Sequence, residues 1–400
     1  MNALVLGNGR SGRAAAELLR REGARVATLD GADAWPAGGA WDLCVTSPGV
    51  PLDHPWQRAA RAAGVPVVSE LQLGATRWRA RGGRMLAVTG SKGKSSVVKL
   101  VADALRLAGA PAVPCGNYGT PLCEVVCGAA DARRTWAVVE VSSFQLETTA
   151  LPPDAFEAAA LLNLQEDHLD RHGSVAVYHG LKRKLLAMAR VAIDASAGAP
   201  DAPGAAALLA GSYFDNPVLR PNGLCAVALL RAAGLDDRRI AAAFAAFAPL
   251  PHRMQRVCAQ GGVAWVDDSK ATSLAALAAG VGMCAGPVRL IAGGLAKGDD
   301  PKSVIPRLRS QAKKVYLIGR CAQQFSEAWR DAVPCEICGT LDRAVAAARR
   351  DARAGETVLL SPGTASFDQF TSYGARGDAF AALVREGAEA IGGCASKRGR

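Results

Sequence analysis

Leu86–Val98 reads LAVTGSKGKSSVV, and the fold turns on how it is read. An apolar run ends at Gly90, Gly93-Lys94-Ser95 follow, and a helical pattern begins at Ser96. That order predicts a buried strand, a phosphate-cradling loop and a helix N-terminus. Backbone N–H groups without intrahelical partners and the positive end of the helix dipole both favour an anion there. Lys94 then reaches the β- and γ-phosphates and Ser95 holds Mg²⁺. The first glycine of G-x-x-x-x-G-K-[ST] would fall on Val88, so the match is to a shorter form, G-x-x-G-K-S. A GKS after an apolar run also occurs in ordinary strand–helix turns, so the loop needs company before it means a nucleotide.

Upstream, residues 1–82 form a first expected domain. Strand ALVLG leads into Gly7-Asn8-Gly9-Arg10-Ser11-Gly12 and helix RAAAELLRREG, and strand ARVATLD ends in Asp30. This is G-x-G-x-x-G with an acidic residue downstream, a dinucleotide-binding fingerprint. Taken alone it suggests NAD. Taken as physics, it says that a diphosphate can approach this helix N-terminus closely. Strand DLCVTSPGV then ends at the turn Ser47-Pro48-Gly49, a place where such sheets bind ligands.

Downstream, residues 83–250 form a second expected domain. Strand TWAVVEVSS carries Glu140, a strand through AAALLNLQEDHLDRH carries Asp167, His168 and Asp170, and helix VYHGLKRKLLAMA carries Lys182. A carboxylate at a neighbouring strand end helps hold Mg²⁺ in phosphate-loop enzymes. By itself His168 reads as a core or capping histidine sooner than as an imidazole ligand, and Lys182 as a solvated lysine. Stretch 195–211, rich in Ala, Gly and Pro, reads as a surface excursion or a shortened connection. Residues 251–400 form a third domain, with strands in VAWVDDSKAT, PVRLIAGGL, KVYLIG and ETVLLSPGTAS. Three polar loops follow them: Asp268-Ser269-Lys270-Ala271-Thr272, Gly293-Gly294 with Lys297, and Ser361–Ser366. Together they suit a small carboxylate-bearing molecule.

Composition narrows the classes. Net charge is +11, yet only 5% of residues are aromatic and the basic residues are scattered apart from the tail Lys397–Arg400. That argues against nucleic acid and for small anionic substrates. No apolar stretch reaches the ~18–20 residues of a membrane span, and the N-terminus lacks a signal-peptide pattern. Eleven dispersed cysteines read as reduced thiols of a cytoplasmic protein; Cys335 and Cys338 have no second pair beside them.

The order of the motifs resembles the Mur ligases, the ATP-dependent enzymes that add amino acids to the peptidoglycan precursor. The resemblance rests on LGNGRSG, TSPGVPLDHP, VTGSKGKSS, GNYGTP, VVEVSSFQLE, NLQEDHLDRHGS, Tyr178–Lys182, LPHRMQRV, VDDSKATS, IAGGLAKGDD and LLSPGTASFDQF. It spans nearly the whole chain and points to members that add D-glutamate to UDP-N-acetylmuramoyl-L-alanine. It implies an α/β protein of three domains: a Rossmann-like UDP-binding domain, a shortened P-loop ATPase-like domain and a Rossmann-like C-terminal domain. It reassigns the N-terminal fingerprint from NAD to a UDP-sugar.

By that resemblance Gly9, Arg10, Ser11, Gly12, Asp30, Ser47, Pro48 and Gly49 hold the UDP part, with Asn117, Ser142 and Gln145 on the muramoyl-peptide side. Gly90, Ser91, Lys92, Gly93, Lys94, Ser95, Ser96, Asn222, Asp268 and Lys270 bind ATP. Two Mg²⁺ sites are implied, one at Ser95 and Glu140, the other near His168 and a carbamylated Lys182. Lys94, His168 and Lys182 are the implied catalytic residues, and Thr272, Lys297, Ser366 and Tyr373 lie near the incoming glutamate. Those side chains would touch either enantiomer. A monomer without nucleic-acid or membrane partners is expected.

The departures are specific. Ser91 and Lys92 stand where the family has Thr and Asn, and Lys92 either adds charge at the phosphates or points to solvent. Only Asn222 remains of a base-contacting segment. Tyr373 replaces a common Phe. The segment between Lys182 and Asn222 is short, so the central sheet is expected to lack strands at one edge.

Overall fold

The computed structural model describes residues 1–36, 39–198, 200 and 203–389. The basic tail 397–400 and part of the 195–211 stretch lie outside the described residues. Two contact units emerge, Met1–Phe247 and Ala248–Arg400.

The first unit holds two parallel sheets. In one, β1 (Asn2–Leu6), β2 (Arg25–Leu29), β3 (Leu43–Thr46) and β4 (Val67–Ser69) run in the order β2-β1-β3-β4. In the other, β5 (Arg84–Thr89), β6 (Ala112–Gly116), β7 (Trp136–Glu140), β8 (Phe156–Leu161) and β9 (Ala189–Asp194) run β6-β7-β5-β8-β9. Strands 1 and 5 are nearly continuous apolar runs because helices cover both sheet faces. In each sheet the chain goes first to one side of the opening strand and later to the other. The reversals fall between β1 and β3 and between β5 and β8, and such switch points open crevices at the strand C-termini. Why the two sheets form one unit is visible in the packing. Leu18 and Leu71 from the first share one buried cluster with Met85, Leu122 and Val126 from the second, and Trp78 joins them.

The second unit holds β10 (Gln255–Gln260), β11 (Val263–Asp267), β12 (Val288–Gly293), β13 (Ala312–Ile318), β14 (Cys335–Gly339) and β15 (Thr357–Leu360), ordered β10-β11-β15-β12-β13-β14. All pairs are parallel except β10 with β11. Strands 10 and 14 escaped the sequence reading because they are edge strands without a continuous apolar run. Cys335 and Cys338 lie on β14, three residues apart, so they face opposite sides of the sheet.

Three local expectations need correction. The helix after the phosphate loop begins at Lys94, not Ser96, because Gly93 adopts φ 86° and turns the chain directly into it. Strand 8 ends at Leu161, so Asp167 and His168 lie in a loop and Asp170 in the short helix Leu169–His172. That loop spends its polar groups on Ser91 and Lys92 rather than on a neighbouring strand. Finally, of the two readings of stretch 195–211, a surface excursion or a shortened connection, the first does not hold for Ala205 and Leu209, which are buried in the core of the second sheet. Among the described residues no strand lies between β9 and β10, and no helix is long and apolar enough to cross a membrane.

Candidate functional site

A cavity of about 470 Å³ opens at the β1/β3 switch point. Gly9, Arg10, Ser11, Asp30, Ser47, Pro48 and Gly49 all line it. Gly12 does not; it lets the helix approach the strand, since a Cβ there would sit 1.8 Å from the Gly7 carbonyl oxygen. Ser47 Oγ donates to Gly7 O at 3.0 Å and so ties the two walls together. Asp30 accepts from Asn8 N at 3.3 Å, which fixes the glycine loop from the far side. Arg10 donates to Gly119 O at 2.7 Å, across to the second sheet.

The phosphate loop follows β5. Lys94 and Ser95 occupy the first turn of the helix Lys94–Leu107, where backbone N–H groups have no intrahelical acceptor. Lys94 Nζ donates to Gly90 O at 2.8 Å and Ser91 O at 3.1 Å. Asn222 is buried, and a Cβ on Gly93 would meet its Nδ2 at 2.3 Å, so this residue faces the loop. Ser96 is buried under the turn. The side chains of Ser91 and Lys92 turn to another loop. Ser91 Oγ donates to Gln165 O and accepts from Gln165 N, and Lys92 Nζ donates to Asp167 Oδ2 at 3.1 Å.

Lys182 sits at the centre. It is 2% exposed and its Nζ donates to Gly90 O at 2.9 Å. Burial pushes its pKa down to about 7, and the charge of Lys94 pushes the same way against Asp167 and Glu140. Beside it the Tyr178 ring lies 4.6 Å from Nζ. Glu140 is level with Val88 at the root of the phosphate loop. Its Oε1 accepts from Asn117 Nδ2 at 2.7 Å, while its buried Oε2 has no hydrogen-bond partner. Ser142 and Gln145 form a capping box on the helix Ser143–Leu146. His168 is strained into the left-handed region at φ 54°, with its ring 5.0 Å from that of Phe144.

The orphaned Glu140 oxygen and the Ser95 hydroxyl are hard oxygen donors of the kind Mg²⁺ takes, and they fit one such ion completed by phosphate oxygens. Among the described residues no group of three His, Cys, Asp or Glu forms a metal cluster.

In the second unit the three predicted loops follow adjacent strands, β11, β15 and β12. Gly363 N donates to Ala271 O, Gly293 N to Pro362 O and Leu295 N to Ala365 O, so the middle loop knits the outer two. The sequence reading missed Arg376. It is 1% exposed on the helix Tyr373–Glu389 and donates to Ser269 Oγ, Ser269 O, Thr364 O and Ala365 O. Its only signal was a charge on an otherwise apolar helix face. Lys270 Nζ stands 4.0 Å above the Tyr373 ring, and Lys297 is exposed. Thr272 is half-buried and Ser366 buried. Asp268 is enclosed rather than open: Ser361 Oγ and Met254 N donate to it, and burial raises its pKa to about 7.

Known proteins resemble this chain in sequence and in fold. Residues 88–194 match the Mur ligase middle domain and residues 252–364 the Mur ligase glutamate ligase domain. The UDP-N-acetylmuramoylalanine–D-glutamate ligase of Nitratidesulfovibrio vulgaris is 38% identical, over 96% of this chain and 95% of its own. Its namesake from Frankia casuarinae is also 38% identical, over 96% and 93%. In solved structures, the UDP-N-acetylmuramate-alanine ligase MurC of Thermotoga maritima shares the fold at TM-score 0.59 and 13% identity, over 97% of this chain and 100% of that one. The MurF ligase of Thermotoga maritima in complex with ADP does so at TM-score 0.57 and 14% identity, over 88% and 90%. The chain belongs to the Mur ligase family, and the full-length relatives named here are its UDP-N-acetylmuramoylalanine–D-glutamate ligases.

Proposed function

We propose that the chain joins D-glutamate to UDP-N-acetylmuramoyl-L-alanine at the expense of ATP, in peptidoglycan precursor synthesis. The observation that carries this reading is the 38% identity to ligases of that name across 96% of the chain. The N-terminal cavity takes the UDP part, the phosphate loop takes ATP and the three knitted loops of the second unit take glutamate. The reaction belongs in the cytoplasm, where its nucleotide-linked substrate and ATP are made, and the chain acts as a monomer.

A carboxylate is a poor acylating agent because oxide would have to leave. Transfer of the γ-phosphoryl group to the alanine carboxylate gives an acyl phosphate and ADP. The glutamate amine then attacks that carbonyl, the amine loses its proton, and inorganic phosphate leaves. The protein's part is positioning and charge stabilisation. Lys94, released from Gly90 O and Ser91 O, lies against the transferring phosphate. Glu140 and Ser95 hold Mg²⁺, whose charge offsets that gathering between nucleotide and substrate. A pKa near 7 leaves much of Lys182 as the neutral amine at physiological pH. Such an amine adds CO₂ and releases a proton to give a carbamate, an anion on the Tyr178 ring that His168 also faces.

Phosphate release with UDP-N-acetylmuramoyl-L-alanine and each of D-glutamate, L-glutamate and other amino acids tests the activity. Release that requires D-glutamate is expected; release with a different amino acid alone overturns the reading. Lys182→Ala should lose about 100-fold or more in kcat, the scale of removing an electrostatic group from a reacting centre. Added short carboxylates should restore part of it. A fully active variant rules the carbamate out.

A further inference from the structure

The departure at Lys92 has a structural consequence. Its backbone is pinned from both sides by one residue: Lys92 N donates to Asn163 Oδ1 at 2.9 Å, and Asn163 Nδ2 donates to Lys92 O at 3.0 Å. From that fixed point the side chain runs to Asp167, where Nζ donates to Oδ2 at 3.1 Å. The other carboxylate oxygen, Oδ1, accepts from His168 N at 3.1 Å. Ser91 N donates to Asn163 O at 3.0 Å and Ser91 Oγ pairs with Gln165. Asn163, Gln165 and Asp167 of one loop therefore all bond to Ser91 or Lys92. The last contact sets the backbone of the one residue there held in the left-handed region.

Lys92 and Lys94 thus have different targets. The Lys94 ammonium donates to Gly90 O and Ser91 O of its own loop. The Lys92 ammonium leaves it for the loop after β8. We propose that Lys92 is a positioning residue that straps the phosphate loop to the His168 loop through Asp167. This rests on the reading above that the His168 loop serves the reaction. The pair is partly exposed, at 40% and 31% of the two side chains, so it adds little to global stability and its removal leaves the fold in place. What it supplies is the register between two loops that approach one reacting centre, where a displacement near 1 Å can cost up to about 100-fold in rate.

A double-mutant cycle decides the matter. Lys92→Ala and Asp167→Ala should each lower kcat about tenfold, within that range, with the ATP KM held within about twofold. The double variant should be no slower than either single one, and Lys92→Arg should recover most of the loss. Amide exchange of residues 166–170, measured on the protein without substrates, should quicken at least about fivefold in both single variants, as expected for a loop that loses its tether. Losses that multiply, or a raised ATP KM at unchanged kcat, would make Lys92 a direct phosphate ligand and overturn the strap. Unchanged exchange would overturn it as well. If the wild-type chain does not turn over the proposed substrates, the functional reading fails, and the exchange measurement still decides the strap.

Discussion

The loops Gly7–Gly12 and Gly90–Ser95 are built alike, as strand, glycine turn and helix N-terminus, yet they work differently. The first is open: Asn8, Gly9 and Arg10 are exposed on the wall of a cavity, and Gly12 serves close backbone packing. The second is enclosed: Gly90 and Ser91 are buried, and Lys92, Lys94 and Lys182 crowd around it with Glu140 and Asp167. The first offers an open wall and the second a buried cluster of charges. Glycine therefore does separate jobs in each, and one substitution type separates them. In Gly12→Ala the new Cβ meets backbone, 1.8 Å from Gly7 O, and nothing nearby can yield. The expected loss is more than about 3 kcal/mol of stability, with loss of UDP-substrate binding. In Gly93→Ala the Cβ meets the end of the Asn222 side chain, and the residual cost is the left-handed φ, about 1–2 kcal/mol. Denaturant midpoints check this, and Asn222→Ala should relieve part of the second loss and none of the first. Equal losses would break the distinction.

The two sites are mechanically joined, and Arg171 is the joint. Its Nε and Nη2 donate to Glu147 Oε1 and Oε2 at 3.0 and 2.6 Å, and Nη2 also donates to Val50 O at 3.0 Å. Val50 follows the Ser47–Gly49 turn that lines the cavity, whereas Arg171 lies three residues beyond His168. The Glu147 side chain is only 5% exposed and also faces His172 Nδ1 at 3.3 Å. Arg171→Met leaves that carboxylate buried without its main partner, which costs about 3 kcal/mol. Removing both charges, in Arg171→Met with Glu147→Gln, should cost less than the single change. The KM for the UDP-substrate should rise in the single variant. Additive stability losses, or an unchanged KM, would show that the two loops work independently.

How much of this was legible in the sequence depended on whether the signal was local. Glycine loops, strand runs and the order of motifs are local, and the cavity lining from Gly9 to Gly49 followed from them. Arg171, Arg376 and Asn163 were missed because each acts across 71 residues or more: Arg171 on Val50, Arg376 on Ser269, Asn163 on Lys92. No periodicity marks such partners. Lys92 was visible as a departure, but Asp167, 75 positions away, was needed to interpret it. Ser142 and Gln145 show the reverse: the spacing S-x-x-Q is a local helix-cap signal, and they make that cap.

A second joint between the two sheets lacks the compensation that Arg171 and Glu147 give each other. Glu70 opens the helix Glu70–Ala80, its Oε1 accepts from Cys123 N at 2.7 Å, and its buried Oε2 has no partner. Burial raises its pKa from 4.5 to about 7, against the opposing hydrogen bond from Cys123. A carboxyl with a raised folded pKa holds its proton longer in the folded chain. Its contribution is fully present below pH 4.5 and is lost as pH climbs to about 7. The size is about 3.5 kcal/mol at most, for the span from 4.5 to about 7. Asp268 of the other unit has the same sign, so the test is a difference between proteins rather than one curve. Glu70→Gln keeps the shape and removes the charge. Against the wild type it should be no more stable at pH 4.5 and distinctly more stable at pH 8, by urea unfolding of the Met1–Phe247 unit. If the difference between the two proteins does not change with pH, this joint is compensated like the other, and the two ends of the first unit are held by the same physics.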